Sequence, residues 1–555
     1  MSDVYLIYRI ALWGPCAFHA LLVFVLLAGC TVGPDFAPVP PPQVPVKPPP
    51  IRVGDAAKPC GPVDHQAERF CIAQRLVDGR DIPGEWWKLF RSRALNDLMG
   101  RALRQNHDLK AAQAALRAAH ANYEAQRGAL FPVVDADHLT SKQKVATLDF
   151  SAPTWSLLPY YTLHTAALTI SYVPDVFGGV RRQIEVAGAQ EDLQQFMLDA
   201  TYLTLTSNIA LAAIQEASLR EQIEVTKSAM DEENLLTDRR LNKSQTDRAS
   251  VEAAISQAAQ TLPLLAKQLT VQRDMLAALS GQFAGEGVTE TFWLSDMQLP
   301  HDLPASLSSQ IVEQRPDVRA AEANLHAATA AVGVAIANRL PLFNLSGNVG
   351  LMSSQLKYFG ATPQTLFWTL AADATQTIFD GFTLEQRQRA AEAGWNQAEQ
   401  QYRSTVVNAF QNVADALQAI ERDKEVVRWA VDAKDAAGRN RCLTAAVFVG
   451  YDGAHSPQLD LSPAVKQAVV GWWDKNCRRY RRLEAPYFKD GETKNGSDVL
   501  VAEQLFLSSQ IALVQAEATR LSDVVALFQA LGGGWWNPPD ALPPNAPARV
   551  ASEPN

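Results

Sequence analysis

The chain has few of the residues from which active centres are usually built. Nine histidines are scattered over 555 residues, and the six cysteines never fall into a C-x-x-C pair. Metal ligation of the common zinc type needs His and Cys at fixed short spacings, so it has no candidate ligands here. His107, His120 and His326 fall on predicted helix surfaces. The sequence holds no P-loop, G-x-G-x-x-G, G-x-S-x-G or H-E-x-x-H, the common signatures of nucleotide, acyl-transfer and metalloprotease chemistry. It is therefore read as a chain that is not an enzyme. Positive charge is short as well: 50 Lys and Arg against 59 Asp and Glu give a net −9. Nothing in that balance calls for nucleic acid, whose binders carry a basic face. Gly and Pro cluster at the ends and in a few connections, which leaves the middle to regular structure.

Long apolar runs are missing except near the N-terminus. Ala20–Ala28 (ALLVFVLLA) has the length of a signal h-region, with Arg9 as the upstream positive charge. Gly14, Pro15 and His19 interrupt any longer span, which falls short of the roughly 20 apolar residues that cross a bilayer. The run ends in Leu27-Ala28-Gly29-Cys30. Small residues directly before a Cys form a bacterial lipobox. Cleavage there removes residues 1–29 and makes Cys30 the new N-terminus. Its sulfur then carries diacylglycerol, with an N-acyl chain added, and several buried tails hold where one would not. This covalent lipid is the one non-protein group expected, and no cofactor is. Thr31 after the lipidated Cys favours the outer membrane. Thr31–Ile51 is Pro-rich and reads as an extended tether with little internal bonding, the first part of a segment 30–83 that precedes the body.

An extracytoplasmic chain can keep disulfides. With Cys16 lost to the signal and Cys30 to lipid, Cys60, Cys71, Cys442 and Cys477 remain. Four cysteines allow three pairings. Local pairing joins Cys60 to Cys71 and Cys442 to Cys477; the alternative is four free thiols.

What the sequence does contain is a duplication. Asp108–Pro132 returns as Asp317–Pro341 without a gap, keeping Asp108/Asp317, Ala111/Ala320, Ala112/Ala321, Leu116/Leu325, Ala119/Ala328 and Pro132/Pro341. A unit of roughly 200 residues is too long for a solenoid and marks two matched halves, 84–298 and 299–536, with a Pro-rich tail over 537–555. Each half opens with an Ala-rich helix. Period-two strand candidates follow near Phe131–Lys144 and Tyr160–Val173, and near Leu342–Met352 and Leu366–Phe379. Leu345, Gly347, Val349 and Leu351 share one face against Asn344, Ser346 and Asn348. Such alternation over about ten residues marks a transmembrane β-strand, though a half-exposed soluble sheet gives the same pattern.

A long helical hairpin then follows in each half. Arg181–Leu241 has one Gly and no Pro and can run roughly 90 Å at about 1.5 Å per residue. The returning seam is Val251, Ile255, Ala258, Leu262, Leu265, Leu269, Leu276 and Leu279. In the second half Tyr402, Val406, Ala409, Val413, Ala416 and Ile420 descend, and Leu507, Ile511, Val514, Ala518, Leu521, Val525 and Phe528 return. Alternating steps of three and four specify coiled-coil packing. Asn242–Thr246 is a short turn, whereas its counterpart carries an insertion over about 449–495, with a basic run at Arg478–Arg482.

Four strands cannot close a barrel with a lumen, since even the smallest membrane barrels need about eight. Open edges are not tolerated in lipid, so several chains must share one barrel if these strands cross the membrane. At this point the chain resembles the TolC-type outer membrane factors, the lipoprotein branch (NodT/OprM-like) that serves RND pumps. The matching stretches are Gly29–Phe36, Arg315–Glu322, Phe379-Asp380-Gly381, Ala530–Trp535 and Tyr172–Arg182. The resemblance implies a mixed α and membrane-β fold. In it a homotrimer forms a twelve-stranded barrel, four strands per chain, that continues into an α-helical coiled-coil periplasmic duct. It also implies a periplasmic adaptor (membrane fusion protein) and an inner-membrane RND pump as partners, with outer membrane lipids around the barrel. Adaptors dock at the hairpin turns of that family, which places candidate contacts at Lys243 and Ser244 in the first turn and Gly491 and Gly496 in the second. Lys243 stands where the family usually has Gly, and the insertion alters the second turn. Asp498 matches an acidic position ringing the duct entrance. Repeated by symmetry, it would favour cations; alternatively it is a helix N-terminal Asp steadied by the dipole. The implied function is a passive exit duct for small molecules. A type I protein-secretion duct and a lipid-anchored coiled coil without a pore are the alternatives.

Overall fold

The structure, a computed structural model, describes residues 31–38, 74–78, 81–144, 160–236, 245–305, 314–359, 363–449, 467, 471, 477 and 496–537. Its helices are α1 (Arg93–Gln105), α2 (His107–Gly128), α3 (Gly179–Leu236), α4 (Gln245–Leu279), α5 (Pro316–Ala337), α6 (Thr383–Val449) and α7 (Gly496–Ala530). The strands are β1 (Arg75–Asp78), β2 (Val133–Lys144), β3 (Tyr160–Tyr172), β4 (Asp302–Ala305), β5 (Leu342–Ser353) and β6 (Leu366–Thr375). β6 stops four residues before the predicted Phe379: its pairing with β5 ends at Leu342↔Thr375, where β5 itself begins.

The chain divides into two compact units, and each draws on both sequence halves. The first comprises residues 1–40, 114–196 and 319–405. It holds one antiparallel sheet in the order β2-β3-β5-β6. β3 and β5 come from different halves, so the central pairing of this sheet is the seam between the two copies.

The second unit comprises 41–113, 197–318 and 406–555. Its core gathers Trp86, Trp87 and Phe90 of a short 3-10 turn with Phe292 and Phe528. Trp86 stacks on Phe528 with ring centroids 5.3 Å apart. The seam predicted for the second half is buried from Val406 to Ile420 and again from Val514 to Phe528. β1 and β4 form a small parallel pair at Arg75↔Asp302.

Here the duplication becomes a repeated contact. Asn106 donates to the Leu279 carbonyl (3.0 Å), and Arg315, its counterpart in the second copy, donates to the Ala530 carbonyl (3.1 Å). Each side chain thus satisfies a carbonyl orphaned at the end of a returning helix. Arg315 also grips Asp317 through two nitrogens, at 2.9 and 2.6 Å.

Three helices, Gly179–Asp231, Pro316–Ala337 and Asp498–Ala530, are long and apolar enough to cross a membrane by composition. Half or a little less of the most apolar window in each is buried, including Ile209 and Ala213, Val318 and Leu325, and Val524 and Phe528.

Candidate functional site

The four-stranded sheet sorts its side chains by row. Residues opposite one another on neighbouring strands share a face, and successive residues alternate faces. The pairing places Val134, Ile170, Gly347 and Leu370 in one row, with Ala136, Leu168, Val349 and Trp368 in the next along that face. A third row is Tyr172, Leu345 and Ala372. A fourth, His138, Ala166, Leu351 and Leu366, lies on the other side of the first two. Apart from His138 in its outermost row, they make an apolar band about 20 Å tall at roughly 6.8 Å per row. The opposite face carries Asp135, Thr169, Asn348 and Thr369 in one row. Its polar groups bond to one another: Thr169 donates to Asp137 (3.4 Å) and Asn344 to Asp373 (3.2 Å). Trp368 and Leu370 are 73% and 78% exposed. An apolar band of this size open to water is out of place on a soluble chain. An apolar face backed by a polar one is the pattern that transmembrane β-strands carry.

The exits from the sheet are built alike. After β3, Asp175 accepts from the Val180 and Arg181 amides, both at 2.9 Å, and so caps α3. After β6, Asp380 accepts from Thr383 (3.1 Å) and Leu384 (2.8 Å) and caps α6. Gly178 and Gly381 supply the left-handed turn at each exit. These are the Tyr172–Arg182 and Phe379–Gly381 stretches singled out in the sequence, and capping the long helices is what they do.

Residues 31–36 depart from the expected loose tether. The Val32 amide donates to the Phe177 carbonyl (3.1 Å). Arg182, its side chain 5% exposed, pairs with Asp35 at 2.6 Å and Glu185 at 2.7 Å. The same guanidinium reaches the carbonyls of Val32 and Gly33. Gly33 lies against Gly333 so closely that a Cβ on it would sit 2.4 Å from the Gly333 Cα. Phe36 stacks on His326 at 4.4 Å, and His326 bonds Glu185 at 2.9 Å. His326, its side chain 30% exposed, thus packs on Phe36 and bridges to Glu185 from the helix surface. The tether reading followed proline content; this segment is instead fixed by one arginine and a glycine–glycine contact distant in sequence. Its first residue, Thr31, is packed on Gly178 in the turn just before α3.

At the other predicted sites, Asp498 is exposed in the first turn of α7, and Gly496 is the first residue of that helix. Cys442 and Cys477 are joined by a disulfide. Cys30, Cys60, Cys71, Lys243, Ser244 and Gly491 lie outside the described residues, as do residues 1–29, 39–73 and 538–555. Directly before Cys442, Arg441 pairs with Glu503 of α7 at 3.3 Å, both nearly fully buried, and its guanidinium lies 4.0 Å from the Phe506 ring centre.

The family profile described as outer membrane efflux protein matches residues 98–282 and 307–448, more than half of the chain. The chain belongs to the outer membrane efflux protein family. Among curated members of this efflux family, it is 26% identical to the pyoverdine export outer membrane protein OpmQ of Pseudomonas putida. That match takes in 85% of this chain and 92% of OpmQ. It is 24% identical to nodulation protein T of Rhizobium leguminosarum bv. viciae, over 97% of each. Among solved structures, the outer-membrane channel OprN superposes with a TM-score of 0.71 at 24% identity, covering 91% of this chain and all of OprN. The Neisseria gonorrhoeae MtrE channel superposes at 0.67 and 24% identity, covering 91% and 99%. The fold of this efflux-family chain is that of outer-membrane channels, and its place is the outer membrane.

Proposed function

We propose that the chain is the outer-membrane exit duct of a tripartite efflux system. Three copies would each give four strands to one closed twelve-stranded barrel, and the helices that continue from those strands would form the periplasmic duct. One observation carries this reading. A single sheet has a continuous apolar face, a polar opposite face and, among the described residues, a free edge on both β2 and β6. Lipid cannot satisfy those edges; a second copy can. The barrel interior would then be lined by the Asp135–Thr169–Asn348–Thr369 row and its neighbours.

The remaining parts follow from the same reading. Cys30 carries diacylglycerol and an N-acyl chain. Lys243, Ser244, Gly491 and Gly496 mark the turns that receive a periplasmic adaptor, which links the duct to an inner-membrane RND pump. Asp498 contributes one carboxylate per copy to the duct entrance. Conduction is passive, and the pump selects the cargo. Relatives named for pyoverdine export and for toluene efflux favour small molecules over proteins as that cargo.

The test is purification in detergent followed by mass measurement and planar-bilayer recording. A trimer that resists mild denaturation and conducts ions is the expected result. A monomer that needs no detergent and carries no current would end the proposal.

A further inference from the structure

The second unit sets a buried carboxylate beside a half-buried one. Asp423 on α6 is 8% exposed, its Oδ2 is buried without a hydrogen-bond donor, and its carboxyl neighbours that of Asp523 on α7. Two carboxyl groups can bond only if one keeps a proton. Beside them on α7 lies Arg520, 1% exposed, whose positive charge favours an ionised Asp423. Arg520 is also held from another direction. Its Nη2 donates to Gln74 Oε1 at 3.4 Å, and Gln74 Nε2 donates to the Pro300 carbonyl at 2.9 Å. Next along that segment, Arg75 is paired with Asp302 at 3.0 Å. The charged groups acting on Asp423 are thus Asp523 and Arg520, both from α7. The uncharged amide of Gln74 closes the cluster on the third element. On α6 the flanking residues Ile420 and Val427 are buried and apolar.

The Arg520 guanidinium acts on Asp423. A proton shared between the two carboxyls removes one negative charge from the pair; without it, the ionised Asp423 is held beside a like charge where water is largely excluded, which is unfavourable. The contact between Arg441 and Glu503 joins the same two helices by permanent charges and needs no such proton. The two fastenings are 18 residues apart on α6 and differ in this one respect.

We propose that Asp423, Asp523 and Arg520 form a proton-operated fastener between α6 and α7, tight in an acidic periplasm and looser as the pH approaches neutrality. The device goes beyond the duct reading, because it lies within one chain and acts whether or not copies assemble. Burial, with Asp523 as hydrogen-bond partner and neighbouring charge, pushes Asp423 up to about 7. If opening returns it to an ordinary carboxylate range, the opening equilibrium rises up to about tenfold per pH unit from roughly 4 to 7, then levels off. The sign follows from proton count: the closed form binds the extra proton, so acid closes and base opens.

The test is hydrogen exchange on the full-length protein in detergent, followed in peptides covering 417–430 and 516–528 from pH 5 to 8.5. Rates are corrected for the intrinsic pH dependence of exchange. The corrected rate in both helices is expected to climb several-fold between pH 5 and 7 and then flatten. In Asp423→Asn the amide donates to Asp523 at every pH, so the climb should vanish and the helices stay protected. Asp523→Asn is the parallel variant should the first fold poorly. A wild-type profile flat across the range, or a climb that persists in both Asn variants, overturns the proposal. Neither result bears on conduction, so the duct reading stands or falls separately.

Discussion

Gly281 and Gly532 make the same contact in the two copies of the repeat. A Cβ on the first would sit 2.7 Å from the Gln105 carbonyl oxygen, and on the second 2.6 Å from that of Gln314. Both residues have positive φ, 77° and 93°. Each closes a returning helix and lets the start of the next element pass against bare backbone. Alanine is therefore expected to be strained twice over, by conformation and by collision with atoms that cannot swing away. Gly281→Ala or Gly532→Ala should cost about 1–3 kcal/mol, read as a lower midpoint in thermal or denaturant unfolding. Equal midpoints for mutant and wild type would show the joints to be pliable.

The two faces of the sheet should respond oppositely to charge. Trp368 lies in an apolar row, and Thr369 lies in a polar one. Trp368→Lys should cost about 2–4 kcal/mol in the bilayer and deplete the protein from the outer-membrane fraction. Thr369→Lys should leave insertion intact and shift the ion preference of the conductance toward anions. The same loss from both substitutions would argue against a lipid face and a lumen face.

Acid should weaken the second unit through Glu290. Burial alone would raise its carboxyl, but donations from Arg101, from its own backbone amide and from Thr289 overcome that and hold it below the usual range. A lowered carboxyl contributes stability that is present above its unfolded value and lost as the pH falls through the folded one. Stability should therefore decline below about pH 4.5. Arg101, which pairs with Glu290 at 2.5 Å, is the chief opposing partner. Arg101→Ala should lower stability at neutral pH and flatten that decline, measured by urea midpoints from pH 3 to 7.

The disulfide between Cys442 and Cys477 spans 35 residues of sequence. Constraining a loop of that length in the unfolded chain is worth up to about 4 kcal/mol. Reduction, or Cys442→Ser, should lower the unfolding midpoint and leave outer-membrane placement unchanged. A midpoint insensitive to reductant would mean that the bridge constrains a segment already free in the native state.

The regular elements were legible because they are periodic. Three of the four sheet strands end within two residues of the expected positions, and β6 is the shorter exception, since Ile378 and Phe379 continue the apolar character without continuing the pairing. The buried stripe from Tyr402 to Ile420 follows directly from steps of three and four. Contacts between residues far apart in sequence were not legible. The meeting of Gly33 with Gly333, and the hold of Arg182 on Asp35, are single events with no period to reveal them. Proline content suggested a loose tether, and the described part of it, residues 31–38, is held in place instead. The burial of Asp423 was equally hidden, since a charged residue inside a helix reads as solvated from sequence alone.

The alternation of rows across β2, β3, β5 and β6 also limits how any further strand can join. A newcomer bonded to the outer side of β6 or β2 can slide by two positions and still present oil to oil and water to water. A slide of one would turn Asp135 and Asp373 toward acyl tails and bring Trp368 inside. Parity, more than the identity of any edge residue, is thus what selects a correctly matched neighbour.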